Sequence, residues 1–256
     1  MKRSLAILMS GEIRLNSSDQ LKIIKNILSQ FGIVKNNFNC VDLYFQTWTK
    51  TDENLLKDMS DSNLIHKLII DTEPDKLPED YFIFNNGKVH NIYCMFTGVY
   101  NCFKSLDLDK NYDYICRCRN DLNISFDARI WFRELYKNEN AYICPPLFWM
   151  GNDGINDHFC ICSKAVFEKI WGLWNFDNLK FMFTQIHTTP ETTIYTQAVY
   201  NYIDVIEILP KVFNYYLTDG KINYDLVNGY MFPYIYSYMI LFQDNAGIYY
   251  KHIANK

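Results

Sequence analysis

The sequence predicts an α/β fold: a mostly parallel central sheet flanked by helices. Three observations carry this expectation. Short apolar runs of strand length alternate with longer segments whose apolar residues recur every three or four positions, as strand–helix–strand units require. Several of the short runs read as strands buried on both faces, the condition of a parallel sheet. The chain has 256 residues, 49% of them hydrophobic, which suits one large domain with a sizeable core.

The elements follow in order. Ser4 to Ser10 reads as a first buried strand, stopped by Gly11. The basic residues ahead of it imitate a secretory leader, but the apolar stretch is shorter than the roughly 7–15 residues that a leader needs. A helix is expected from Ser18 to Phe31, with Ser17 or Ser18 as its N-cap and Leu21, Ile24, Ile27, Leu28 and Phe31 on one face. Val41 to Gln46 and Leu68 to Asp71 read as strands separated by a polar helical stretch. From Lys88 to Leu106, the spacing of Val89, Ile92, Phe96, Val99, Phe103 and Leu106 predicts an amphipathic helix. Tyr112 to Cys118 is a central strand running into Arg119-Asn120-Asp121. Further strands are expected at Ala141 to Cys144, His158 to Cys162 and Ile206 to Leu209. A helix from Lys164 to Trp174 and another starting at Pro190-Glu191 complete the pattern, the proline sitting where no backbone N–H is needed.

Composition excludes some functions. The net charge is -4 and no run of five basic residues occurs, so a broad nucleic-acid footprint is not expected. No segment reaches the roughly 18 uninterrupted apolar residues of a membrane span. The eight cysteines form no Cys-x-x-Cys pair, and the reading is buried free thiols in a reducing, cytoplasmic compartment. Glycine-rich dinucleotide and P-loop signatures are absent, as is a nucleophile elbow.

Chemistry concentrates at four places. The first is the end of the central strand, because ligands of open α/β sheets bind beyond the carboxyl ends of strands. There Arg117 and Arg119, on one side by strand alternation, can fork onto diphosphate oxygens, and Asp121 can hold a divalent cation bridging them. An ordinary turn with an Arg–Asp ion pair is the competing reading. The second is the Gly/Asn/Asp loop from Gly151 to His158, for which an ordinary turn is the competing reading; there Asp157 is a candidate base toward an acceptor hydroxyl, or a group that holds the acceptor in place, and His158 is a candidate packed or catalytic histidine. The third is His187 with Glu191, a candidate metal ligand and a carboxylate that the helix dipole alone would explain. The fourth is Ser10-Gly11-Glu12-Ile13-Arg14, where glycine lets backbone approach a ligand and Arg14 can meet phosphate.

Taken together, six ordered motifs resemble a family of glycosyltransferases found in bacterial surface-polysaccharide clusters and in large DNA viruses. They are Ser10-Gly11-Glu12-Ile13-Arg14, the aspartate-led run from Asp42 to Trp48, Asn91-Ile92-Tyr93-Cys94-Met95-Phe96, the run from Tyr112 to Leu122, Asn156-Asp157-His158-Phe159, and Pro190-Glu191. The resemblance, which covers roughly residues 4–205, implies a single GT-A-like nucleotide-binding domain, taken over residues 1–220; the Tyr- and Asn-rich stretch over 221–256, which lacks clear periodicity, reads as an aromatic-rich extension packed on it. It implies transfer of a sugar from a nucleoside-diphosphate sugar to a glycan or glycolipid acceptor, assisted by Mn²⁺ or Mg²⁺. Ser10, Gly11, Arg14, Asp42, Arg117, Arg119 and Asn120 would then bind the donor, Asp121 the metal, and Asp157 would serve the acceptor, with His158, His187 and Glu191 close by. The family's Asp-x-Asp-like motif is here Arg119-Asn120-Asp121, with one carboxylate instead of two. A sugar nucleotidyltransferase and a non-enzymatic carbohydrate-binding or scaffold module are the alternatives, and peripheral membrane contact through the aromatic extension is a further expectation.

Overall fold

A computed structural model describes residues 3–32, 34–75, 89–146, 154–171, 189–208, 210, 212–216, 222–223, 239–244 and 247–252. The elements are β1 (Arg3–Ser10), α1 (Ser17–Gly32), β2 (Phe38–Trp48), α2 (Glu53–Asp61), β3 (Lys67–Asp71), α3 (Val89–Lys104), β4 (Tyr114–Arg119), β5 (Leu122–Ser125) and α4 (Ala128–Lys137). They continue with β6 (Ala141–Cys144), β7 (Phe159–Ser163), α5 (Lys164–Trp171), α6 (Pro190–Tyr200), β8 (Asp204–Ile208), β9 (Val212–Tyr216), β10 (Ile222–Asn223), β11 (Met239–Asp244) and β12 (Gly247–His252).

Among the described residues the main sheet has nine strands in the order β11-β12-β8-β6-β7-β4-β1-β2-β3. The run β3-β2-β1-β4 is parallel throughout, and so is the pair β6-β8. β7 runs against both of its neighbours, β4 and β6. β12 runs against β8 and β11, so part of the segment after residue 220 extends the edge of this sheet. A second sheet, β10-β9-β5, is antiparallel.

The sequence dictates both faces of the sheet. In β1, Leu5, Ile7 and Met9 join the core beneath α1, α2 and α4, whereas Ala6 and Leu8 join the core beneath α3, α5 and α6. β4 repeats the alternation, with Tyr114, Cys116 and Cys118 in the first core and Ile115 in the second. Both faces being covered is why these strands carry so little polar alternation. Phe31 of α1 meets Phe126 and Phe132 edge-on, with centroids 5.5 and 6.2 Å apart; truncating such a ring to alanine costs about 3–5 kcal/mol.

Helix starts follow capping chemistry. The cap of α1 is Asn16, whose side chain accepts from the Asp19 N–H at 3.0 Å while donating to the Asp19 carboxylate at 2.9 Å. The cap therefore lies one residue ahead of the expected serines, because Asn16 and Asp19 can cap each other reciprocally. Asp52, Asp127 and Thr189 cap α2, α4 and α6. All eight cysteines are free thiols, and all but Cys40 are buried. No helix among the described residues is long and apolar enough to cross a membrane.

Candidate active site

The site grows from the carboxyl ends of β1 and β4. These strands are in parallel register with Ser10 opposite Arg119. β7 is antiparallel to β4, so its beginning lies beside the end of β4, with Phe159 opposite Cys118. The Arg119 N–H donates to the His158 carbonyl at 2.9 Å. Asp157 and His158 are thereby brought to the same end of the sheet as Arg117, Arg119 and Asp121. This convergence is a consequence of strand direction rather than of sequence proximity.

The β1–α1 loop is held against the end of β4. Gly11 has φ of +123°, in the region that side chains disfavour, and its N–H donates to the Gln46 carbonyl at 3.2 Å. The Asn120 amide donates to the Gly11 and Glu12 carbonyls at 3.1 and 2.9 Å, and Gln20 donates to the Asn120 carbonyl at 2.8 Å. Asn120, expected as a donor-binding residue, thus spends its amide hydrogens on tying this loop down. Arg14 stays on the rim, its Nε 3.6 Å from the Glu12 carboxylate.

Charge is packed here at unusual depth. Arg117 is 1% exposed and lies over the Trp171 ring at 4.4 Å from the centroid. The ring face suits a cation but satisfies no N–H, and Nε and Nη1 of Arg117 have no hydrogen-bond partner among the described residues. Arg119 forks onto Asp121, Nε to Oδ1 at 2.8 Å and Nη2 to Oδ2 at 2.6 Å. Burial raises the Asp121 carboxyl pKa, but the charge and hydrogen bonds of Arg119 outweigh it and hold the group below its ordinary value.

Asp157 is 2% exposed, and its Oδ1 is 3.0 Å from His158 Nε2. Burial pushes this carboxyl up, while His158, with Arg117 and Arg119 beyond it, brings it down to about 2. One ligand atom each from Asp157, His158 and Glu191 lies within 4.8 Å of the others. Glu191 arrives through a close backbone approach at Gly154: a Cβ there would meet the Glu191 Cβ at 2.7 Å and its carbonyl carbon at 2.8 Å. The Ile155 N–H donates to the Glu191 carbonyl at 3.3 Å, fixing the loop to the first turn of α6.

The geometry departs from the sequence reading at several residues. Asp42 does not reach this end of the sheet. It lies opposite Ala6, four residues before Gln46, which is about 13 Å along the strand. There it accepts from Tyr112 at 2.6 Å and Lys110 at 2.9 Å. Asp121 has both oxygens engaged by Arg119, and among the described residues at this end of the sheet the donors close enough to share a cation are those of Asp157, His158 and Glu191. Asp157, expected as an acceptor-side base or positioning residue, is buried beside His158 at this end of the sheet. His187 lies outside the described residues.

No protein-family profile matches the chain, and no curated protein sequence matches it. Solved structures with some similarity include core-mannan synthase A from Aspergillus fumigatus in its Mn/GDP form, at 11% identity over 77% of this chain and 70% of that one, with a TM-score of 0.46. Mouse xyloside xylosyltransferase 1 gives 10% identity over 79% and 83% of the two chains, with a TM-score of 0.42. A glycosyltransferase involved in glycosylation of the major capsid of PBCV-1 gives 13% identity over 78% and 76%, with a TM-score of 0.38. Likeness this remote assigns no residue a role.

Proposed function

We propose that this chain transfers a glycosyl group from a nucleoside-diphosphate sugar to a glycan or glycolipid acceptor. The observation that carries the reading is Arg117, a buried cation at the carboxyl end of a central strand with two donors unused among the described residues. A buried, incompletely hydrogen-bonded guanidinium is costly unless an anion completes it, and a diphosphate supplies the required charge and oxygens. The convergence around it adds support: four segments far apart in sequence bring Arg14, Arg119 with Asp121, Asp157 with His158, and Glu191 to one end of the fold.

In this reading Arg117, with Arg14 and Arg119, opposes the negative charge that grows on the departing diphosphate. Asp121 holds the Arg119 guanidinium in plane. Ser10 and Gly11 present backbone to the nucleotide, on a loop kept in place by Asn120. The donor set of Asp157, His158 and Glu191 fits Mn²⁺ or Mg²⁺, with carboxylate oxygen and imidazole nitrogen ligands converging within 4.8 Å of one another. Such an ion supplies neutralising charge to a phosphate ester. Acceptor positioning falls to Asp157, whose carboxylate stays ionised across physiological pH. Reduced, mostly buried thiols suit a cytoplasmic setting.

The test is a transfer and donor-hydrolysis assay across common nucleotide sugars, with and without Mn²⁺. Turnover of at least one donor, lost in Arg117→Met, is expected. Absence of binding and turnover for every nucleotide sugar would remove the proposal.

A further inference from the structure

The geometry points to a second cation site, formed by Glu73, His90 and Cys94, that takes a thiophilic divalent ion such as Zn²⁺. Glu73 follows β3, while His90 and Cys94 stand one turn apart at the start of α3. Cys94 Sγ is 3.4 Å from His90 Nε2 and 3.9 Å from Glu73 Oε1, and Nε2 is 3.9 Å from Oε1. The same three atoms make all three edges of this triangle. A point equidistant from them lies about 2.2 Å from each, inside the roughly 2.0–2.3 Å range of zinc bonds to nitrogen, oxygen and sulfur.

The surroundings favour ligation over an incidental cluster. The other Glu73 oxygen, Oε2, accepts from Lys50 at 2.9 Å, which leaves Oε1 turned toward the imidazole and the thiol. Lys50 also reaches Glu12 at 3.2 Å, so the carboxylate is oriented by a partner anchored on the β1–α1 loop. Cys94 is buried and His90 is partly exposed, so the triangle has a sheltered side and an open one. Three protein ligands and an open position describe a site where water or an exogenous group completes the coordination. Thiolate with imidazole selects zinc or cobalt over magnesium or manganese, which separates this site chemically from the oxygen-rich Asp157–His158–Glu191 group. It shares no residue with that group.

The experiment adds Co²⁺ to metal-free full-length protein and follows the near-ultraviolet thiolate-to-cobalt band, then displaces Co²⁺ with Zn²⁺. The band should saturate at one equivalent, bleach with Zn²⁺, vanish in Cys94→Ser and persist in Asp157→Asn. Glu73→Gln and His90→Ala should each weaken Zn²⁺ binding by about tenfold or more. Circular dichroism establishes that each variant is folded, and His90→Ala, at a partly exposed position, gives the reading if Cys94→Ser does not fold. A folded wild type with no thiolate band, or a band that survives Cys94→Ser, would overturn the site. So would unchanged Zn²⁺ affinity in folded His90→Ala.

Discussion

Arg119 grips both carboxylate oxygens of Asp121, two residues further along the same chain, at 2.8 and 2.6 Å. An arginine in this position is oriented by the carboxylate, and the carboxylate is occupied by the arginine. The pair therefore divides labour differently from an acidic metal motif. Asp121→Asn should cost about 1–3 kcal/mol of stability by leaving a half-buried guanidinium without its counter-charge. Mn²⁺ affinity should stay within about threefold of wild type, whereas Asp157→Asn should lower it by about tenfold or more. Calorimetric Mn²⁺ titration of both variants decides this, and abolition of binding by Asp121→Asn alone would reassign the ligand.

The depressed carboxyls of the site, Asp121 and Asp157, make stability depend on acid. A group whose folded pKa lies below its unfolded value stabilises the fold above the unfolded value, and loses that contribution as pH falls through the folded one. For Asp157 the window runs from the ordinary carboxylate value, about 4, down to about 2. Its contribution is roughly 2 kcal/mol. Denaturant melts from pH 6 to pH 2 should show stability falling across that window in wild type and falling less steeply in Asp157→Asn. Parallel curves for the two proteins would contradict the pairing of Asp157 with His158 and the arginines.

Gly154 is where Glu191 comes within reach of Asp157 and His158. Alanine there would place a methyl 2.7–2.8 Å from Glu191 atoms, two of them backbone or Cβ and neither able to swing aside. Gly154→Ala should therefore cost about 1–3 kcal/mol and weaken Mn²⁺ binding by displacing the first turn of α6. Gly32→Ala, at the end of α1 with nothing within 4 Å, is the matched control and should be close to neutral. Thermal melts with and without Mn²⁺ compare the two.

Asp42 supports the other end of the sheet. Removing its charge in Asp42→Asn weakens its bonds to Tyr112 and Lys110 and should cost about 1–2 kcal/mol. The KM for the donor should change by less than about twofold, since a wild-type fold keeps Ser10, Gly11 and Arg117 in place. A large KM effect without a stability loss would return Asp42 to the donor pocket.

Legibility in the sequence followed the range of the interactions involved. β1 and β4 are evident because strands buried on both faces read as apolar runs, and α3 is evident from its long repeat. α4 escaped although Ala128, Trp131, Phe132 and Leu135 lie at helical spacing behind the Asp127 cap, a signal that could have found it. β2 extends three residues before and two beyond its expected ends because strand pairing, not side-chain character, sustains it: Phe38 and Cys40 pair with β1 on either side of a register shift, and Thr47 and Trp48 pair with β3. At the site, Arg117 and Arg119 were visible as charges at a strand end. Their different fates, one buried against Trp171 and one forked onto Asp121, depend on α5 and on a local turn. The approach of Glu191 to Asp157 and of Glu73 to His90 and Cys94 leaves no mark in spacing at all. Both are made by tertiary packing.

Everything proposed for donor binding turns on Arg117, and titration calorimetry of nucleotide sugars into wild type and Arg117→Met, with Mn²⁺ present, measures it directly. A buried charge exchanged for an apolar side chain of similar length should leave the protein folded and melting at or above the wild-type temperature. The expected result is saturable binding of at least one nucleoside-diphosphate sugar to wild type, weakened about 100-fold in Arg117→Met. Equal affinity in the two folded proteins would contradict the account.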